Sequence, residues 1–539
     1  MQREKLINSL LVVFFTAAFF ATRVPGLSHD TVNPDAVNWH YRSEQFVVGL
    51  KTHQWEKTYQ HYHPGVTLMW LLGSTVEVLR QLNPSLRVYN QDNFLFLDYA
   101  AKFVLVIVQL VLTGFLIHFL SKIFSFRKAL LVASLFTFEP FFTGNSRLLH
   151  MDVLLALFLM NGLVCAYIST RQVTVFWTIL SGVFLALAFL TKSVAVLGFA
   201  FALLTGSALI YFKRGWRRVF NYAPVLSLAF ISTVFLLFPA LWSDFFGVVA
   251  SIFAEAERIG IRKGHDQIFF GGYSRDPGLL FYPLVFLLKI SPFLLFGAVL
   301  HVLYAFKFKM ANTLSGVKKK DLSLMLFLLL FYASYVLLMS IPTKKIDRYM
   351  ISVYPFLALF AVSGFHKIIS YLKGFLYGSL FTAFGLLTYV LPIFTYYPYY
   401  FTYTSPLFGS AQNANKIIGQ KPFGIGIPAL KDFILNRYDS RNCMKLVQGV
   451  SCFLQFTGQK YPRLGFIDTK PMKAIYPSSK VFDVRVNGTS DYDILVLGPN
   501  EETPQEVLEG ERKFIYDTSM YINGLEFWRL YVKEGIPSK

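Results

Sequence analysis

Charge is scarce in this chain. Asp, Glu, Lys and Arg together are 15% of its 539 residues, against 54% hydrophobic. That excludes an ordinary soluble domain, whose composition runs to about 25% charged. Acids are the scarcer sign, with 31 Asp and Glu against 51 Lys and Arg. Cysteine is nearly absent: Cys165, Cys443 and Cys452 build no disulfide framework and no metal motif. Cys443 and Cys452 can pair only if their compartment is oxidising. No Gly/Ser linker interrupts the first large polar loop, and no repeat of fixed period is visible.

What the chain has instead is long uncharged runs. They are Leu6–Thr22, Phe103–Leu120, Val153–Thr170, Val173–Thr191, Ser193–Phe212, Val219–Ser243, Leu322–Thr343, Tyr349–Phe365 and Gly374–Phe394. Each comes near or passes the roughly 20 residues that cross about 30 Å of hydrocarbon. Two further runs are interrupted, Ala129–Ser146 by Glu139-Pro140 and Gly278–Phe306 by Lys289. The expectation is an α-helical integral membrane protein with about eleven transmembrane helices. The first run follows MQREK and lacks a small-residue cleavage site, so it reads as a retained signal anchor.

Basic residues orient the spans. With the N-terminus cytoplasmic, the inside segments hold Arg3, Lys5, Lys122, Arg127, Lys128, Arg171, Lys213, Arg214, Arg217, Arg218, Lys307, Lys309, Lys318, Lys319, Lys320, Lys367 and Lys373, against only Glu4 and Asp321. The net charge of +20 therefore reports topology and an anionic inner leaflet rather than nucleic-acid binding. Residues 1–410 form the membrane domain, with a large first external loop at 23–102. Residues 411–539 form a small external α/β domain in the cell (inner or plasma) membrane's outer compartment. Within it FGIGI (423–427), KLVQGV (445–450), DILVLG (493–498) and FWRLYV (527–532) read as strands. PALKDFIL (428–435) and TPQEVLEG (503–510) read as helices, and Asn487-Gly488 as a turn. In the first loop Val66–Leu82 is an amphipathic helix expected to lie along the interface.

Charges that break the pattern carry the functional reading. Asp35, Arg147, Asp152, Lys192, His265, Asp266, Arg275, Lys344, Lys345, Asp347 and Arg348 all fall at the external ends of spans. Ionisable groups near hydrocarbon are costly, so they are functional candidates. A mostly cationic set with a few carboxylates suits a phosphate or pyrophosphate, with an acid or base beside it. Asp35 is also a plausible helix N-cap, and the three cations of IPTKKIDRYM (341–350) also fit snorkelling to headgroups.

The motifs resemble a known family. NPDAVNWHYRSEQFVVGL and YQHYHPGVTLMWLLG resemble the first external loop of protein O-mannosyltransferases, with Asp35 and His63-Pro64 at matching places. GNSRLLHMDVLLALF resembles their second loop, with Arg147 and Asp152. GGYSRDPGLLFYPLVFLLKISP and KKIDRYMISVYPFLALFAVSG resemble later segments of prokaryotic relatives (glycosyltransferase family 39-like), and lipid A aminoarabinose transferases are similar in layout. The resemblance implies the C-type glycosyltransferase superfold. It implies inverting transfer of a sugar from a polyprenyl-phosphate donor to a protein, lipid or envelope glycan outside the membrane.

In that scheme Asp35 is the base and Asp152 a carboxylate beside the sugar cation. Arg147, Lys192, Arg275, Lys344, Lys345 and Arg348 bind the donor phosphate. His40, His63 and His265 bind substrate or position loops. No cofactor is required; Asp35, His150 and Asp152 are weak candidates for a divalent metal. Many eukaryotic members carry an acid directly after the aspartate, where this chain has Ala36. A polytopic transporter or lipid flippase is the alternative, but it would place its charges nearer mid-membrane.

Overall fold

The computed structural model describes residues 2–172, 174–262, 266–310, 319–371, 375–438, 461–505 and 514–533. The expected apolar runs are largely helical. Among the described residues seven helices are long and apolar enough to cross a membrane, and Val175–Thr191, Pro292–Leu303 and Leu324–Ser340 are shorter apolar helices. The first part of the chain folds as α1 (Gln2–Arg23), α2 (Pro34–Lys51), α3 (Val66–Leu82), α4 (Phe94–Ser121), α5 (Phe126–Thr137) and α6 (Pro140–Ser146). It continues as α7 (Asp152–Gln172), α8 (Val175–Thr191), α9 (Val196–Arg214) and α10 (Trp216–Leu237). The interrupted run 129–146 breaks where expected, at Glu139, which accepts from the Ser291 backbone and hydroxyl.

Helix α7 sits at the centre. Its span is wholly buried among its neighbours, whereas α1 is only 11% buried. A helix that is apolar all round belongs in such a place. Outward faces instead expose large apolar side chains such as Phe14, Phe212 and Leu228, as a hydrocarbon solvent requires. Because Asp152 begins α7, a carboxylate lies at the end of the bundle's axis. A carboxylate at a helix N-terminus is also favoured by the helix dipole.

Among the described residues the C-terminal part holds a five-stranded sheet, with strands in the spatial order 481–483, 464–466, 494–497, 525–533 and 514–522. It follows a small hairpin of β1 (Gln267–Phe269) and β2 (Gly272–Ser274). Strands β3 (Leu464–Phe466), β4 (Val481–Asp483) and β5 (Ile494–Leu497) run parallel, while β6 (Phe514–Ile522) and β7 (Leu525–Lys533) add an antiparallel hairpin. Asn523 and Gly524 both take positive φ at its tip, as a two-residue hairpin turn demands.

One sequence expectation fails here, and three strands went unforeseen. FGIGI is not a strand: Phe423, Gly424 and Gly426 have φ of 44°, 69° and 69°, and only Ile425 makes an isolated bridge, to Thr31. Strands 464–466, 481–483 and 514–522 were not anticipated, being short or polar. KLVQGV, Cys443 and Cys452 lie outside the described residues, as does most of TPQEVLEG.

Candidate active site

Four segments meet at the N-terminal end of α7. Helix α2 starts with Asn33 as N-cap and Pro34 next, which puts Asp35 in the first turn rather than at the cap. The turn before α7 carries His150. Lys192 is the residue that ends α8, where a cation suits the helix dipole. Arg348 lies at the start of a 3-10 turn, Asp347–Val353.

Their side chains form one charge network. Arg348 Nη2 donates to Asp35 Oδ2 at 2.9 Å, and its Nε lies 3.2 Å from Asp152 Oδ2. His150 stands between the same carboxylates, Nε2 3.3 Å from Asp35 and Nδ1 3.0 Å from Asp152. Lys192 Nζ donates to Asp152 Oδ1 at 2.9 Å and lies 3.9 Å over the Tyr349 ring. Asp152, Lys192 and His150 are buried; Asp35 keeps 34% of its side chain exposed. Burial by itself would raise the Asp35 pKa. The hydrogen bond from His150 and the Arg348 charge outweigh it, and hold the carboxyl well below the usual carboxylate range.

Asp35 and Arg348, but not His150, Asp152 or Lys192, line a cleft of about 570 Å³. Its other walls include Lys344, Asp347, Gln420, Lys421 and Phe423, with Asp468, Arg485 and Glu501 from the C-terminal sheet region. Lys470 Nζ reaches Asn38 on α2 at 3.2 Å. The C-terminal region thus forms one side of the opening in front of Asp35.

The remaining sequence candidates scatter. Arg147 is not in the cluster. Buried, it donates to Asp30 Oδ2 at 2.6 Å and to the carbonyls of Thr22, Arg23 and Pro25. It clamps the end of α1. Arg147→Ala leaves Asp30 without this partner, and should cost about 3–5 kcal/mol, read as a lower thermal midpoint in detergent. His40 binds Tyr89 at 2.7 Å and Asp98 at 3.2 Å, in a buried group completed by Lys102. That is a loop-positioning role. His63 Nδ1 lies 3.4 Å from Ser193 Oγ, and burial with the nearby Lys192 charge pushes its imidazole well below the ordinary value.

Lys345 is buried and tied to Asp276 at 2.7 Å. Arg275 pairs with Asp266 at 3.2 Å with both side chains exposed, 83% and 65%. Such a pair contributes little, so Arg275→Gln should leave turnover within about twofold of wild type. His265 lies outside the described residues. The cations expected to be free for an anion are therefore largely matched by acids. For a metal, His150 keeps Asp35 and Asp152 on opposite ring nitrogens, and Arg348 and Lys192 occupy their oxygens. Among the described residues no three His, Cys, Asp or Glu side chains converge as ligands.

Sequence reasoning missed Phe423, Tyr349 and Asp468, which carry no motif. His150 was seen only as a weak metal ligand, since its bridging role depends on two carboxylates distant in sequence.

Residues 67–251 match the family model described as Dolichyl-phosphate-mannose-protein mannosyltransferase. No curated protein matches the chain. Among solved structures it is similar to ArnT from Cupriavidus metallidurans bound to undecaprenyl phosphate, at 15% identity, covering 97% of each chain with a TM-score of 0.46. It is also similar to the oligosaccharyltransferase AglB from Archaeoglobus fulgidus in complex with an inhibitory peptide and a dolichol-phosphate. That match has 12% identity and a TM-score of 0.44, and covers 92% of this chain and 70% of that one.

Proposed function

We propose that this chain, which resembles the protein O-mannosyltransferases over residues 67–251, is an inverting glycosyltransferase of the C-type fold. It moves a sugar from a polyprenyl phosphate to a hydroxyl of an acceptor on the outer face of the membrane. One observation carries the reading: a partly exposed carboxylate, Asp35, and a guanidinium, Arg348, sit in contact in the wall of one cleft. The family-model match over residues 67–251 supports a donor of the dolichyl-phosphate-sugar class.

In a single displacement the acceptor oxygen attacks the anomeric carbon as the bond to phosphate oxygen breaks on the opposite face. The configuration inverts. The hydroxyl proton passes to Asp35, and the departing phosphate carries the negative charge. Arg348 and Lys344 line the same cleft, so they are the groups that meet that charge. Lys192 acts from behind, through Asp152, which holds Arg348, while Lys345 is held by Asp276 outside the cleft lining. Asp152 holds Arg348 and His150 in place and does not line the cleft.

A base held far below its usual range is weak, and the His150 hydrogen bond and the Arg348 charge are the reasons. When the phosphate takes the Arg348 guanidinium, the main positive neighbour of Asp35 is shared with a second anion, and the carboxylate becomes more basic. Residues 1–410 would supply the catalytic unit and 411–539 the acceptor side of the cleft.

The test is donor turnover. Purified protein receives radiolabelled polyprenyl-phosphate sugars and a membrane extract. Label should appear on an acceptor with inverted anomeric configuration. Release of free sugar alone, or donor lipid crossing the bilayer without transfer, would sink the reading.

A further inference from the structure

The segment 417–427 touches the site from two directions. On one side it pairs with the β1-β2 hairpin: Phe270 N donates to Ile417 O at 2.9 Å and Gly419 N to Ile268 O at 2.9 Å. On the other it holds the residues that lead into Asp35. Val32 N donates to Gly424 O at 3.1 Å and Gly426 N to Asp30 O at 2.7 Å, around the Thr31–Ile425 bridge. A Cβ on Gly424 would stand 1.9 Å from Val32 O, so the approach needs glycine there. Trp528 of β7 anchors the strap through Ile425 O at 2.9 Å.

At the centre of the strap, Phe423 adopts φ of 44°, a region a bulky side chain seldom enters. The turn aims its ring into the cleft. There it stacks on Phe401, centroids 5.4 Å apart and 19° from parallel, and its face carries the Arg348 guanidinium at 4.5 Å. Arg348 thus uses its edge on Asp35 and Asp152 and its face on Phe423. Of these contacts only the edge must be surrendered to a phosphate; a cation on an aromatic face keeps its orientation while the edge changes partner.

We infer that Phe423 is a positioning residue. It keeps Arg348 aimed into the cleft while the guanidinium passes from Asp35 to an anionic phosphoryl group, and so makes the C-terminal strap part of the donor-phosphate site. The inference rests on the polyprenyl-phosphate reading above. It assigns to the segment read from sequence as a strand a role that no charged residue announced.

The test compares Phe423→Leu with Phe423→Trp. Leucine fills the space against Phe401 but has no π face; tryptophan keeps one. The probe is undecaprenyl phosphate without sugar, titrated against protein in nanodiscs, so no transfer is needed. Phe423→Leu should weaken binding about tenfold, a loss of the size a desolvated cation–π contact supplies. Phe423→Trp should bind within about threefold of wild type. In an Arg348→Gln background, Phe423→Leu should have little further effect, because the two act as one unit. Wild-type affinity for Phe423→Leu, or effects that simply add to Arg348→Gln, would overturn the inference. If wild-type protein itself ignores undecaprenyl phosphate while binding another anion or none, it is the donor reading that fails.

Discussion

Asp35→Asn should lower sugar transfer by about 10²–10⁴-fold, the range for losing a positioned general base. It should leave donor binding intact or slightly tighter. The two effects have opposite signs for one reason. The Asp35 carboxylate is both the proton acceptor and the 2.9 Å competitor for Arg348. Asparagine cannot take the proton and holds the guanidinium less firmly. The checks are initial transfer rates beside undecaprenyl-phosphate titrations on the same preparations. Equal transfer by both proteins would remove Asp35 as the base.

The pH profile adds a second check. A depressed folded pKa keeps Asp35 ionised below the usual carboxylate value of about 3.9. The acid limb of kcat/KM from this group should therefore fall below about pH 4. The stability it contributes is present above its unfolded pKa and is lost as pH falls through the folded one. The gap in thermal midpoint between wild type and Asp35→Asn should close only in strong acid.

The bundle was legible because membrane helices announce themselves. An apolar run without charges has few other homes, and Val66–Leu82 was read with the bounds it has in the structure. Asp35, Asp152, Lys192 and Arg348 were legible for a related reason: each is a charge at the end of a run that should carry none. That signal cannot tell a ligand-binding charge from an internal pair. Arg147 looks like Arg348 in sequence, yet it is consumed by Asp30 and three carbonyls. Its partners lie more than a hundred residues away. Residues 423–427 of the strap were misread for the converse reason. Alternating Phe, Ile and Gly suggests a strand, but the glycines serve positive φ and close approach rather than pleating. The cleft needs residues from both halves of the chain, and no local pattern brings Asp468 in front of Asp35.

Arg348 should be the second most sensitive position, and its variants separate two effects. Arg348→Ala removes the guanidinium that joins Asp35 to Asp152, leaving two carboxylates with only His150 between them. The expected loss is about 3–5 kcal/mol of stability, as for breaking one side of a buried pair. Transfer should fall by about 10²–10³-fold, as when one preorganised donor to a developing charge is removed. Arg348→Lys restores the charge and should recover much of the thermal midpoint. It should recover little of the rate, because an ammonium cannot span both carboxylates with a planar fork or lie flat on Phe423. A lysine variant with wild-type rates would mean that charge alone suffices, and that the fork and the ring beneath it are incidental.

Lys345 and Arg348 are each matched by an acid from another loop, Asp276 for the first and Asp35 with Asp152 for the second. Matched pairs carry little net charge and so weigh little in a count of basic residues by side. Of the two, Arg348 alone lines the cleft. An anion entering the cleft would meet Arg348, while Lys345 stays tied to Asp276.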